Sequence, residues 1–228
     1  MSVPVLELSL VSKAYGGLRP LRIERLTLAQ GDRLALVGID GPGAEVLINL
    51  LTGASLPDRG EIRVHGRSTA DIADGPAWLA SLERFGIVSE RAPLVDALSV
   101  VQNLALPLSL DVDPLSDPMR RRAAALAIEA GLAEADLDRP TGELGPSGRA
   151  RLRFARALAL EPDLLLAEHP TATLSRGDVK GLARDVRALL RGRAAAALIL
   201  TADETFAEAV GPRVGRLDPA SGRIAFGR

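Results

Sequence analysis

Three observations predict an α/β fold with a mostly parallel sheet. From residue 34 onward, apolar strand-like runs alternate with helix-like runs, the order that covers a parallel sheet on both faces. One of these units is sharply drawn: the run Leu34–Val37 meets a glycine-rich turn, Gly38 to Gly43, and then an apolar helix-like run, Val46–Leu51. On either side of it lie short segments with period-two alternation, which read as a small strand-rich layer.

The elements follow in order. Val5–Val11 and Arg22–Leu28 alternate apolar and polar residues and predict strands. Gly31-Asp32 is a turn signal ahead of a buried strand, Arg33–Val37. Glu61–Gly66 predicts a further short strand closed by glycine, and Pro76–Arg84 a helix. Phe85–Val88 predicts a strand, then Ala97–Leu106 and Met119–Ala130 predict helices joined by the Pro- and Asp-rich link Asp111–Pro118. Ser147–Leu160 predicts an arginine-rich helix, Asp163–Ala167 a buried strand, Gly177–Leu190 a helix and Ala195–Leu200 another buried strand. A short helix, Glu204–Ala209, and two strands, Val214–Leu217 and Arg223–Phe226, close the chain. One domain of two lobes is expected: a core from residues 1–89 and 160–228, with an inserted helical lobe over residues 90–159.

Composition narrows the function classes. The net charge is −1, so no global basic field points to nucleic acid. With no cysteine, disulfides, thiolate zinc sites and cysteine nucleophiles are excluded. No apolar run approaches the roughly 20 residues that span a bilayer. The opening MSVPVLELSLVSKAY lacks a basic segment followed by a long apolar stretch, so no signal peptide is expected. Arg120-Arg121-Arg122 reads as a solvated helix face.

Strand, glycine loop and helix is the layout of a phosphate-binding loop, G-x-x-x-x-G-K-[ST]. Gly38 and Gly43 have the required spacing, but Ala44 stands where the lysine belongs and Glu45 where the hydroxyl belongs. Pro42 lacks an N–H and removes one donor from the cradle. An acidic Glu45 in the first helical turn suits the helix dipole, and it is also expected to fill the anion site itself.

Around this loop the chain resembles the nucleotide-binding cassette of ATP-binding cassette (ABC) transporters, collinearly over nearly its whole length. The resemblance is carried by Tyr15 after the first strand, Gly31–Gly38 leading into the loop, Leu50–Gly53 and Gly60–Ile62 after it, Arg156–Leu158, Pro162–Leu166 and Pro170-Thr171. It implies the ABC ATPase fold: a P-loop NTPase-type, mostly parallel sheet with an N-terminal antiparallel β layer and an inserted helical lobe. It also implies a nucleotide site with Tyr15 against the base and Gly38, Asp40, Gly41 and Gly43 in the loop, followed by Ala44, Glu45 and Val46 at the helix start. Glu90 stands where the family has the Q-loop glutamine.

The family's chemistry is altered at almost every such position. Glu168 replaces the metal-holding aspartate, His169 the catalytic glutamate and Ala202 the switch histidine, and Ser175 aligns with the D-loop aspartate. The signature that clamps phosphate on the opposite subunit aligns with Leu144, Gly145, Pro146, Ser147 and Gly148, with proline in place of a glycine. Ser147 is better read as an N-cap. Losing the charged hydrogen bond of the lysine alone removes about 1.5–3 kcal/mol.

The resemblance thus implies a transporter subunit that has become a pseudo-ATPase, with no catalytic residue, resident cofactor or metal assigned. It implies docking on an integral-membrane permease through Arg91–Leu110, pairing as a homodimer or heterodimer of cassettes, and a cytoplasmic place peripheral to the inner membrane. The text of Leu94–Leu108 resembles lipoprotein-release and phospholipid-trafficking cassettes. Two alternatives stay open: an atypical active subunit that binds ATP and Mg²⁺ through Glu168 and His169, and a soluble regulator that kept the fold.

Overall fold

The computed structural model describes residues 4–227, so the expected domain ends at 1 and 228 lie outside the described residues. Two sheets form. The first is antiparallel, in the order β2 (Leu21–Leu28), β1 (Leu6–Lys13), β4 (Arg59–Val64), β5 (Arg67–Ser68). Alternation dictates its facing: Leu6, Leu8, Ile23, Leu26, Leu28 and Ile62 are buried while the residues between them meet solvent. A register shift between Ser9 and Ser12 turns Leu10 outward.

The second sheet has β3 (Arg33–Val37) near its centre, in the order β10 (Ile224–Phe226), β9 (Arg213–Leu217), β3, β8 (Ala196–Leu200), β7 (Leu164–Glu168), β6 (Phe85–Val88). All neighbours are parallel except β10 and β9. The α/β class, the parallel sheet and the antiparallel layer are as expected from sequence. Successive residues of β3, β7 and β8 serve opposite faces. Leu34, Leu36, Leu164, Leu166, Leu198 and Leu200 pack with the antiparallel layer and with helix α1 (Gly41–Leu51). Ala35, Val37, Leu165, Ala167, Ala197 and Ile199 pack under the helices on the other side.

Those helices are α3 (Val100–Ala105), α4 (Asp117–Glu129), α5 (Pro146–Leu158), α6 (Arg176–Leu189) and α7 (Glu204–Val210), while α2 (Gly75–Leu82) precedes β6 and has no buried residue. Trp78 of α2 donates its indole N–H to Thr52 O at 2.9 Å and so ties α2 to the end of α1. Gly86 lets β6 approach α5: a Cβ there would meet Ala157 O at 2.2 Å.

Several boundaries differ from expectation for local reasons. Helix α1 starts five residues early, at Gly41, because Asp40 caps it and Pro42 is tolerated in a first turn. Pro118, expected in a link, likewise falls in the first turn of α4. The helix expected from Ala97 begins only at Val100, where Ser99 and Gln102 form a capping box. Helix α5 begins at Pro146 with Gly145 as its N-cap, so Ser147 is not the cap, and its hydroxyl instead accepts from Arg151.

Candidate functional site

The turn between β3 and α1 is built by glycine geometry and one carboxylate. Gly38 has φ +89°, and a Cβ on it would stand 2.4 Å from Leu217 O, so no other residue fits. Asp40 is extended and turns its carboxylate back over the helix start: Gly43 N–H donates to Asp40 Oδ1 at 2.8 Å, and Ala44 N–H donates to Asp40 O at 2.9 Å. The Asp40 carboxylate thus caps one N–H, that of Gly43, at the partly positive N-terminus of α1.

Beside it lies a cavity of about 390 Å³ lined by Tyr15, Arg19, Arg22, Gly38, Asp40 and Gly43. Burial, and then the charge and hydrogen bond of Asp40, push the Tyr15 phenol above its ordinary value. The residues expected against a nucleotide base and its first phosphates, Tyr15, Gly38, Asp40 and Gly43, therefore do meet in one place. Gly41 is exposed at the start of α1, Ala44 is fully buried and Val46 partly buried.

Glu45 does not fill the anion site. Because α1 starts at Gly41, Glu45 sits in its second turn, and Oε1 accepts from Arg91 Nη1 at 2.9 Å. The opposite nitrogen of Arg91 reaches Glu168 Oε2 at 3.0 Å. The buried Ser89 donates its hydroxyl to the same Glu168 oxygen at 2.8 Å and accepts Arg91 N–H at 3.1 Å. Glu168, at the end of β7, is only 14% exposed at its side chain. Glu90 turns the other way, onto Arg153 of α5, with oxygens 2.6 and 2.9 Å from the two terminal nitrogens. Arg156 donates to Pro93 O and Ala92 O, anchoring the same stretch to α5.

His169 follows Glu168 with φ +41°, its N–H held by Leu200 O at 2.8 Å and its Nε2 buried without a partner. Ala202 is exposed after the buried Thr201, and Asp203 caps α7. Leu144 is buried, while Gly145 and Pro146 are exposed at the start of α5. The hydrogen bonds of 144–148 stay local, from Arg149 N to Gly145 O and from Arg151 to Ser147. Sequence reasoning missed Arg91 and Arg153 as site residues. Each is an ordinary arginine in the sequence and gains meaning only from the carboxylate it meets.

A protein-family model described as ABC transporter matches residues 21–172. The chain belongs to the ABC transporter family. A lipoprotein-releasing system ATP-binding protein, LolD of Maricaulis maris, is 33% identical over 222 residues, spanning 96% of this chain and 93% of the relative. Among solved structures, the ATP-binding cassette MJ0796, a dimer in a post-hydrolysis state bound to ADP and Pi, superposes with a TM-score of 0.75 at 23% identity, over 96% of this chain and 97% of that one. The chain cbiO1 of Clostridium perfringens, part of the ABC transporter complex cbiONQ, gives 0.82 at 22% identity, over 99% and 89%. These structures establish the cassette fold.

Several groups that would meet a magnesium nucleotide are already bonded within the chain. The N–H groups of Gly43 and Ala44 are bound to Asp40, and Pro42 has none to give. A carboxylate at the helix start repels phosphate, where a lysine would attract it. The two carboxylates available to a metal, Glu45 and Glu168, are held by Arg91. Among the described residues, no group of three or more His, Cys, Asp or Glu side chains is placed to hold a metal.

Proposed function

We propose that this cassette is a pseudo-ATPase subunit of a membrane transporter, a scaffold that docks on a permease without turning over ATP. One observation carries the reading: the groups that would face phosphate and metal are bonded to each other, Gly43 N–H to Asp40, and Glu45 and Glu168 to Arg91. The signature stretch is altered as well, so a partner cassette would gain no intact clamp from this chain. The LolD relative belongs to a lipoprotein-releasing system, which supports a lipid-linked transporter as the setting. The permease is expected to meet residues 91–110, with the cassette at the cytoplasmic side of the inner membrane, paired with itself or with another cassette. Among the described residues, no helix is long and apolar enough to cross a membrane.

Calorimetry with Mg-ATP and a phosphate-release assay on the purified chain test this directly. Neither binding heat nor turnover is expected. Micromolar binding, or turnover that disappears in His169→Ala, overturns the reading in favour of an atypical active subunit.

A soluble regulator is favoured by one observation. Leu94, Val100, Val101 and Leu104 pack into the helical core, which leaves Val95 and Leu110 as the large apolar side chains exposed in that stretch. Co-purification from native membranes decides between the two, because a permease partner is retained only if the transporter reading holds.

A further inference from the structure

Arg91 joins two carboxylates that have no local reason to meet. Glu45 belongs to α1 and Glu168 to β7, and each places one oxygen 3.0 Å or less from a different nitrogen of the same guanidinium. Ser89 adds a hydroxyl on the same Glu168 oxygen, and both Ser89 and the Glu168 side chain are largely withdrawn from water. The largely buried Glu168 carboxylate gains most from that positive charge, while the half-exposed Glu45 closes the other side of the guanidinium. The backbone delivers that charge in a set position: Ser89 holds Arg91 N–H, while the neighbouring Glu90 is clamped on Arg153 from the other side.

We propose that Arg91 is a resident cation. Its guanidinium occupies the place in which oxygens of Glu45, Glu168 and Ser89 would otherwise hold a divalent metal ion, so the chain assembles this pocket metal-free. This deepens the pseudo-ATPase reading. The donors are all oxygen, the set that suits Mg²⁺ and Mn²⁺ rather than a soft metal. Arginine is permanently charged and carries its donors in a planar fork, so neither pH nor dilution removes it as both would remove a bound ion.

The consequence is a gain of binding on deletion. Mn²⁺ alone, with no nucleotide, is titrated into the full chain and free Mn²⁺ is followed by its electron paramagnetic resonance signal. The wild type is expected to leave that signal unchanged. Arg91→Ala and Arg91→Met are expected to bind one Mn²⁺ at least about ten-fold more tightly, with Kd on the order of 10⁻⁴–10⁻³ M as for weak oxygen sites. Adding Glu168→Gln to Arg91→Ala abolishes the gain. Arg91→Met keeps the apolar stem, so the question stays answerable should the alanine variant fail to fold.

The proposal is overturned if the folded variants take up no more Mn²⁺ than the wild type. It is equally overturned if the gain survives Glu168→Gln, or if the wild type itself binds Mn²⁺ in a Glu168-dependent way. ATP turnover by the wild type would refute the pseudo-ATPase reading through a separate assay, without deciding the Mn²⁺ result.

Discussion

Replacing Asp40 separates the two roles its carboxylate plays at the head of α1. It caps Gly43 N–H at 2.8 Å, and it faces the Tyr15 phenol. Asp40→Ala removes both. Losing an N-cap costs about 1 kcal/mol, in a range of roughly 0.5–2. Asp40→Asn keeps an equally good cap and loses only the favourable charge at the helix N-terminus, a few tenths to about 1 kcal/mol. Urea unfolding, followed by the single tryptophan, is therefore expected to rank wild type, then Asn, then Ala. The single tyrosine makes a second readout clean, because alkaline difference absorbance reports Tyr15 alone. Burial is the larger cause of its raised pKa and Asp40 the next, so the midpoint is expected to fall in both variants yet remain above the ordinary value of 10.0.

The sign for stability follows from linkage. The folded pKa of Tyr15 lies above its unfolded value, so the folded state favours the neutral phenol. That contribution is complete below the unfolded pKa and is lost as pH rises through the folded one. Removing Asp40 should flatten this alkaline limb. An unchanged Tyr15 midpoint, or an Asn variant as unstable as Ala, would refute the arrangement.

Other outcomes follow from the same structure. Asn103 is fully buried and bonds Val95, Leu98, Ser99 and Thr141, so Asn103→Ala is expected to cost about 1–3 kcal/mol by chemical denaturation, because it strips partners from buried groups. Arg151 and Asp185 pair at 2.7 Å with side chains 14% and 13% exposed, and Asp185→Ala is expected to cost about 3 kcal/mol by leaving the arginine charge uncompensated. Gly86→Ala drives a methyl to 2.2 Å from Ala157 O and is expected to lower the thermal midpoint, with soluble yield as a second measure. The hydrogen bond from Arg193 holds Glu129 below its ordinary value; the stability it adds is present above the unfolded pKa and fades as pH falls through the folded one, so Glu129→Gln should blunt acid unfolding in a pH titration.

The legibility of this chain was uneven along its length. Period-two alternation in Leu6–Leu8 and Ile23–Leu28 is a direct imprint of a sheet with one wet face, and the structure pairs these segments as strands. The uninterrupted runs Leu164–Ala167 and Ala196–Leu200 are equally direct, because central parallel strands are buried on both faces. Helix starts were harder. The caps Asp40 and Ser99 and the first-turn Pro42, Pro118 and Pro146 go with boundary shifts of one to five residues, and they act through φ/ψ values and single hydrogen bonds that a hydrophobic pattern does not record.

The glycine-rich turn illustrates the division best. By itself the sequence determined the strand–turn–helix frame, the spacing of Gly38 and Gly43 and the absence of the lysine and hydroxyl, while the collinear resemblance along the rest of the chain pointed to the cassette family. Those features reside in residue type and order, which local backbone preference and burial read directly. Only the tertiary structure decided what the altered positions contact. It placed Asp40, not Glu45, on the helix start, and it brought Glu45, Ser89, Arg91 and Glu168 together from α1, β7 and the segment after β6. The physical reason is range: a charge acts on whatever lies within a few ångströms in space, and partners up to 79 positions apart in the chain leave no trace in its local pattern.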